Sequence, residues 1–195
     1  MKIQSYQTMV LISLFQLLSS CGINEVELYE GDYFPLQIGN KWYYSYDKNQ
    51  TDINNTRKWE VISKKNIQAR EYFLIESTYN ASVTDTIYYR KEKNKIIELL
   101  IGKSKSEYYI ENIFADFDIK ENEFFQSYAM AFNGKDYYYN VTLKNKDEKR
   151  ITLFYNILEA RDEEHSITFE IGKGIIETTH YGWGPDNYLI HYELK

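Results

Sequence analysis

The feature that most constrains this chain is a run of short β-prone segments broken at hairpin spacing from Lys41 to its last residue. Twelve segments qualify: Lys41–Asp47, Arg57–Lys64, Glu71–Tyr79, Asp85–Lys91, Lys95–Ile101, Glu107–Asn112, Phe124–Phe132, Tyr137–Lys144, Arg150–Leu158, Ser166–Ile171, Ile175–Tyr181 and Tyr188–Leu194. Twenty tyrosines, with many Ile, Thr, Phe and Val, supply side chains that fit a pleated, half-buried surface. Only Pro35 and Pro185 interrupt backbone donation, and both fall between segments. Asn133-Gly134 is the strongest short hairpin signal, and Lys93-Asn94, Asn145-Lys146-Asp147, Arg161-Asp162 and Gly172-Lys173-Gly174 are breaks of similar length. Consecutive strands joined this tightly predict an all-β antiparallel meander.

Face patterns say what must cover those strands. In Ser166–Ile171, Ile167, Phe169 and Ile171 share one face while Thr168 and Glu170 share the other, so one side is wet. Tyr72-Phe73-Leu74-Ile75, and Ile96, Ile97, Leu99 and Leu100, are apolar on both faces and need cover on both sides. Twelve strands exceed what a twisted open sheet holds without curling, which predicts a closed or half-open barrel. Glu111–Gln126 is the one candidate helix, with Ile113, Phe114, Phe117, Phe124 and Phe125 forming a partial stripe.

The first twenty residues read as an export signal outside the fold. Lys2 is the only charge before Glu25, and the apolar run from Met9 to Leu18 is ten residues long. A transmembrane helix needs roughly 20 apolar residues, whereas a signal core needs about 7–15. The run ends in Leu18-Ser19-Ser20-Cys21-Gly22, which resembles the bacterial lipobox, where the cysteine thiol is acylated before cleavage on its N-terminal side. Cys21 is the only cysteine, so no intramolecular disulfide forms. Two or more acyl chains anchor a protein durably, which makes Cys21 the expected membrane attachment and the bacterial cell envelope the expected location. Gly22 is not the aspartate that often retains such proteins in the inner membrane, which favours the outer membrane. Residues 21–33, with Glu25, Glu27, Glu30 and Asp32, read as an acidic tether, and 34–195 as a single domain.

Removing residues 1–20 removes Lys2 and no acid, leaving 22 basic against 29 acidic residues and a net charge near −7. That balance disfavours nucleic acid, whose affinity depends on cations at phosphates.

The stretch Tyr33-Phe34-Pro35-Leu36-Gln37-Ile38-Gly39-Asn40-Lys41-Trp42-Tyr43-Tyr44-Ser45-Tyr46 resembles an opening common to uncharacterised lipoproteins of the Bacteroidetes type. There a short tether precedes an F-P-L and then a G-N-x-W-x-Y-x-Y pattern. Ile113-Phe114-Ala115-Asp116-Phe117-Asp118 and Lys173-Gly174-Ile175-Ile176-Glu177 are similar as well, with Ile176 in place of that family's second glycine. The resemblance implies an anchored β-rich domain and brings no activity and no catalytic residues.

Motifs for chemistry are sparse. Gly172-Lys173-Gly174-Ile175-Ile176-Glu177 has Glu where a dinucleotide loop needs its third glycine, and Gly102-Lys103-Ser104-Lys105-Ser106 lacks the last glycine of a nucleophile elbow. No catalytic residue, cofactor or metal is assigned. Among the histidines, His165 follows Asp162-Glu163-Glu164 and reads as a solvated turn, while His180 and His191 flank the last hairpin. If His191 lies opposite Thr178, both imidazoles share a face, roughly 7–8 Å apart.

Three functions follow. The preferred one is a non-enzymatic envelope lipoprotein that holds an apolar or amphipathic ligand or client within a curved sheet, with Trp42, Tyr44, Tyr72, Tyr89 and Tyr139 as the binding residues. The second is a surface module presenting Tyr88-Tyr89, Tyr108-Tyr109 and Tyr137-Tyr138-Tyr139 to a glycan or protein. The third is a metal-dependent enzyme near His180 and His191.

Overall fold

The structure is a computed structural model that describes residues 31–102, 109–158, 163–182 and 184–195. Cys21, the tether up to residue 30, Tyr108 and Trp183 lie outside the described residues.

Twelve strands form one antiparallel sheet: β1 (Lys41–Ser45), β2 (Arg57–Ile67), β3 (Arg70–Tyr79), β4 (Ser82–Glu92), β5 (Lys95–Ile101), β6 (Tyr109–Asp116), β7 (Phe124–Phe132), β8 (Lys135–Lys146), β9 (Arg150–Asn156), β10 (His165–Glu170), β11 (Gly174–His180) and β12 (Asn187–Glu193). The spatial order is β6-β5-β4-β3-β2-β1-β12-β11-β10-β9-β8-β7. The first and last strands therefore pair at the middle of the sheet, with Lys41 opposite Glu193. The sheet curls into a nearly closed barrel whose seam falls between β6 and β7, where the ladder stops.

The helix expected over Glu111–Gln126 does not form. Residues up to Asp116 continue β6, residues from Phe124 begin β7, and a loop joins them. Its apolar stripe serves separate surfaces: Phe114 and Phe125 pack on the barrel core, Phe117 enters the core from the loop, and Phe124 is exposed. The competing strand reading wins because β5 offers β6 a ladder from Lys95–Asp116 to Ile101–Tyr109, interrupted only by one register shift that leaves out Phe114.

A barrel of twelve strands is wider than the eight-stranded size that side chains alone can fill. Large rings and an inserted segment occupy the space. Phe34, Trp42, Tyr89, Phe114, Tyr155 and Phe169 form a connected cluster, with Phe34 stacked on Trp42 at 5.6 Å and Phe117 edge-on to Phe169 at 5.0 Å. The segment Tyr33–Leu36 plugs the end of the barrel where β1 begins, and Tyr33, Phe34 and Leu36 are all buried. Asp32 and Tyr33, read from the sequence as the end of the tether, thus belong to the folded body. The Asp32 carbonyl accepts from the Gly172 amide at 2.8 Å, and its carboxylate accepts from the Phe34 amide at 3.0 Å.

The G-N-x-W pattern has a structural reading here. Gly39 sits at φ +92° and donates to the Val61 carbonyl. Buried Asn40 donates its amide Nδ2–H to the Pro35 carbonyl at 2.7 Å and accepts the Lys195 amide at 2.8 Å, tying the plug to the chain end. The Trp42 indole donates to the Lys173 carbonyl oxygen.

Strands β3 and β5 bury residues on both faces, as their sequence requires, whereas the first half of β4 between them is exposed. Ile75 and Ile96 face the interior cluster, whereas Tyr72, Ile97 and Leu99 are buried outside it. Glu111 is the polar hub of that outer face. It accepts from Arg90 Nε at 2.7 Å, from the Tyr72 hydroxyl and from Arg70.

Four hairpins turn in two residues. Gln68-Ala69, Asn80-Ala81 and Asn133-Gly134 each put both residues at positive φ, and Lys93 does so in Lys93-Asn94. This geometry matches the twist of the strands it joins.

Candidate ligand site at the open end of the barrel

The barrel end opposite the plug is built differently. Towards the start of β1 the interior is dry and filled by rings, whereas beyond Tyr44 it carries polar groups. Glu98 on β5 pairs across from Tyr89 and points inward, with its Oε2 accepting from Asn112 Nδ2 at 3.2 Å. Enclosure by protein raises the Glu98 carboxyl above its ordinary value, the Asn112 hydrogen bond acting against this; Asp85 adds to the rise. The side chain still keeps some contact with solvent. Burial pushes the Tyr44, Tyr89 and Tyr155 hydroxyls up as well, so all three stay protonated donors at neutral pH. Tyr44 donates to the Ile175 carbonyl at 3.2 Å and Tyr155 to the Phe114 carbonyl at 2.6 Å.

Beside this group a column of rings rises towards the rim. Tyr155 stacks on His165 at 4.8 Å with planes 9° apart, and His165 stacks on His180 at 5.5 Å. Tyr139 meets the His165 ring edge-on at 5.0 Å. Burial lowers the His165 pKa to about 4, with His180 adding to the fall and a bond to the Glu163 carbonyl opposing it. The imidazole is therefore neutral at pH 7.

A pocket of about 210 Å³ opens between β1, β2, β11 and β12. Tyr44, Trp59 and Ile175 give it an apolar wall, with Trp59 edge-on to Tyr44 at 5.5 Å. Arg57, His180 and Asn187 give it a polar lip. Arg57 is exposed and makes no ion pair among the described residues. Asp186 braces the lip: it accepts the His180 amide at 2.8 Å and the Tyr188 hydroxyl at 3.1 Å.

Of the five aromatic residues singled out from the sequence, Tyr44 alone lines this pocket. Trp42 and Tyr89 are core, Tyr139 belongs to the ring column, and Tyr72 lies on the outer face against Glu111. His180 and His191 do not converge. Thr178 pairs with Asn187 on β12, and His191 pairs with Tyr43 on the far side of that strand, next to Glu193. Among the described residues, no group of three His, Cys, Asp or Glu side chains is placed to hold a metal ion. Sequence reasoning missed His165, Trp59 and Arg57. For His165 the available signal was its position one residue before an alternating strand, which puts it on the face of Ile167 and Phe169.

Comparison with known protein families, with curated proteins and with solved structures finds no match for this chain.

Proposed function

We propose that this protein is a lipid-anchored lipoprotein of the bacterial envelope, outer membrane in location, whose open barrel end binds a small amphipathic molecule. The observation that carries the binding reading is the pocket at that end, where an aromatic wall of Tyr44 and Trp59 meets Arg57 and His180. Ligand sites are typically concave and apolar with a few polar groups that fix orientation, and they span about 300–1,000 Å³. At about 210 Å³ this pocket suits one ring or a short chain. Behind it, Phe34, Trp42, Tyr89, Phe114, Tyr155 and Phe169 pack against one another, so the pocket does not continue into the described core. Arg57, exposed and without a carboxylate partner, supports a ligand whose polar end is anionic or accepts hydrogen bonds. The anchor reading rests on the apolar run that ends in Ser19-Ser20-Cys21.

A tyrosine-presenting surface module has less support. Tyr88 is half-buried beside buried Tyr89, and Tyr138 is exposed between two half-buried tyrosines, so the rings alternate between faces.

Native mass spectrometry of the protein purified gently from its host tests the binding reading. A co-purifying small molecule at one per chain that is lost in Trp59→Ala supports it. A ligand retained by that variant, or an apo mass that no metabolite extract shifts, overturns it. Incorporation of labelled palmitate that disappears in Cys21→Ser tests the anchor separately.

A further inference from the structure

The plugged end of the barrel carries a second and larger hollow, a cleft of about 560 Å³ bounded by the ends of β4, β5 and β8 and by the loop after β6. Four lysines line it: Lys91, Lys93, Lys95 and Lys146. Their convergence is unusual on a chain with a net charge of −6. Two of them are neutralised, Lys91 by Asp32 and Lys95 by Asp116 at 2.9 Å. The other two are not. Lys146 donates only to the Phe117 carbonyl oxygen at 2.9 Å, and Lys93 makes no ion pair among the described residues. The remaining carboxylate in the lining, Asp118, accepts from Asn94 Nδ2 at 2.9 Å.

The cleft has an apolar side as well. Tyr33 and Phe117 pack at 4.9 Å, and Ile96 lies beneath them. Its frame is held by backbone bonds. The Phe117 amide donates to the Asn94 carbonyl at 2.9 Å, and the two-residue turn fixes Lys93 at φ +55°. Ammonium groups set on strand ends and a turn around a half-open cleft act as point charges for a multiply charged anion, the usual role of lysine at phosphate.

We propose that this cleft binds a phosphate-bearing organic ligand, its phosphate between Lys93 and Lys146 and its apolar portion against Tyr33 and Phe117. This site is distinct from the open-end pocket and does not depend on it. A soluble metabolite and the headgroup of a phospholipid share this chemistry.

Calorimetric titration of the full chain with glycerol 3-phosphate probes the soluble source. Flotation of the full chain carrying Cys21→Ser with phosphatidylglycerol or phosphatidylcholine vesicles probes the membrane source. The double variant Lys93→Gln, Lys146→Gln removes both unneutralised charges, and Lys48→Gln at the other end of the barrel is the control. Expected is saturable binding that the double variant weakens by about tenfold or more per lost ammonium, each tenfold equal to about 1.4 kcal/mol. Binding of glycerol 3-phosphate assigns the soluble source. Lysine-dependent binding to phosphatidylglycerol vesicles alone assigns the headgroup. No saturable binding of either probe, or binding equal in the double variant and the control at matched melting temperature, overturns the proposal.

Discussion

Asn112 on β6 accepts the backbone N–H of Tyr128 on β7 at 2.7 Å, and so bridges the one place in the barrel where the strand ladder stops. The same oxygen accepts the Ser127 hydroxyl at 3.3 Å, while its amide nitrogen donates to Glu98. One buried side chain thus joins both edges of the sheet. Asn112→Ala leaves the Tyr128 amide and the Glu98 carboxylate without this partner. The expected cost is about 2–3 kcal/mol, within the range for unsatisfied buried polar groups. Urea unfolding measures it, and amide exchange at Tyr128 should accelerate more than at β1 or β12.

Two glycines at positive φ should respond differently to alanine. At Gly174 (φ +92°) an added Cβ would meet Phe34 at 3.0 Å and the Trp42 indole nitrogen at 3.1 Å, both rings of the dry core. At Gly172 (φ +74°) it would meet open space. Gly172→Ala should cost about 1–2 kcal/mol from backbone strain alone. Gly174→Ala should cost at least about 1 kcal/mol more, in the range of overpacked cores. Melting temperatures of the two variants side by side decide it.

His165 should make stability fall on mild acidification. Its folded pKa of about 4 lies below the unfolded value near 6.5, so the unfolded chain takes up a proton that the folded chain refuses. The contribution is complete above about pH 6.5 and is lost as pH drops towards about 4, at up to about 1.4 kcal/mol per pH unit for one proton. His165→Phe keeps a ring against Tyr155 and His180 and should flatten this part of the stability profile. An unchanged slope in that variant would place the titration elsewhere.

Ala69 and Ala81 occupy left-handed turn positions, at φ +61° and +60°. An L-residue there carries roughly 1–2 kcal/mol of strain, part of which glycine returns through greater unfolded-state entropy. Ala69→Gly and Ala81→Gly should each stabilise by about 0.5–1 kcal/mol in thermal unfolding.

All twelve strands were legible in the sequence because alternation and polar breaks act locally. The turns at Gln68-Ala69 and Asn80-Ala81 were not, since alanine carries no turn chemistry and only the tight strand registers force it into that conformation. The helix over Glu111–Gln126 failed for a related reason: an apolar stripe does not show whether its members share one face or divide between two strands and the loop that joins them. Site residues were the least legible. Which tyrosines fill a wide barrel and which line its pocket depends on closure, a relation between strands far apart in the chain. His165 was concealed by the acidic turn before it, although its ring sits on a tyrosine inside the wall.

Because β1 pairs with β12, the chain divides into two six-stranded runs, β1–β6 and β7–β12, that meet along a single spine. Within each run every pairing joins sequence neighbours, whereas the spine joins residues such as Lys41 and Glu193, 152 positions apart. Loop-closure entropy makes such distant contacts the slow ones. Each run can therefore assemble by zipping hairpins from its own end, like the two covers of a book that are bound last. A circular permutant linking Lys195 to Gly31 and opened between Asp118 and Glu123 would keep the plug and bring the two strands of the spine within one short connection. Its refolding should outpace that of the natural order.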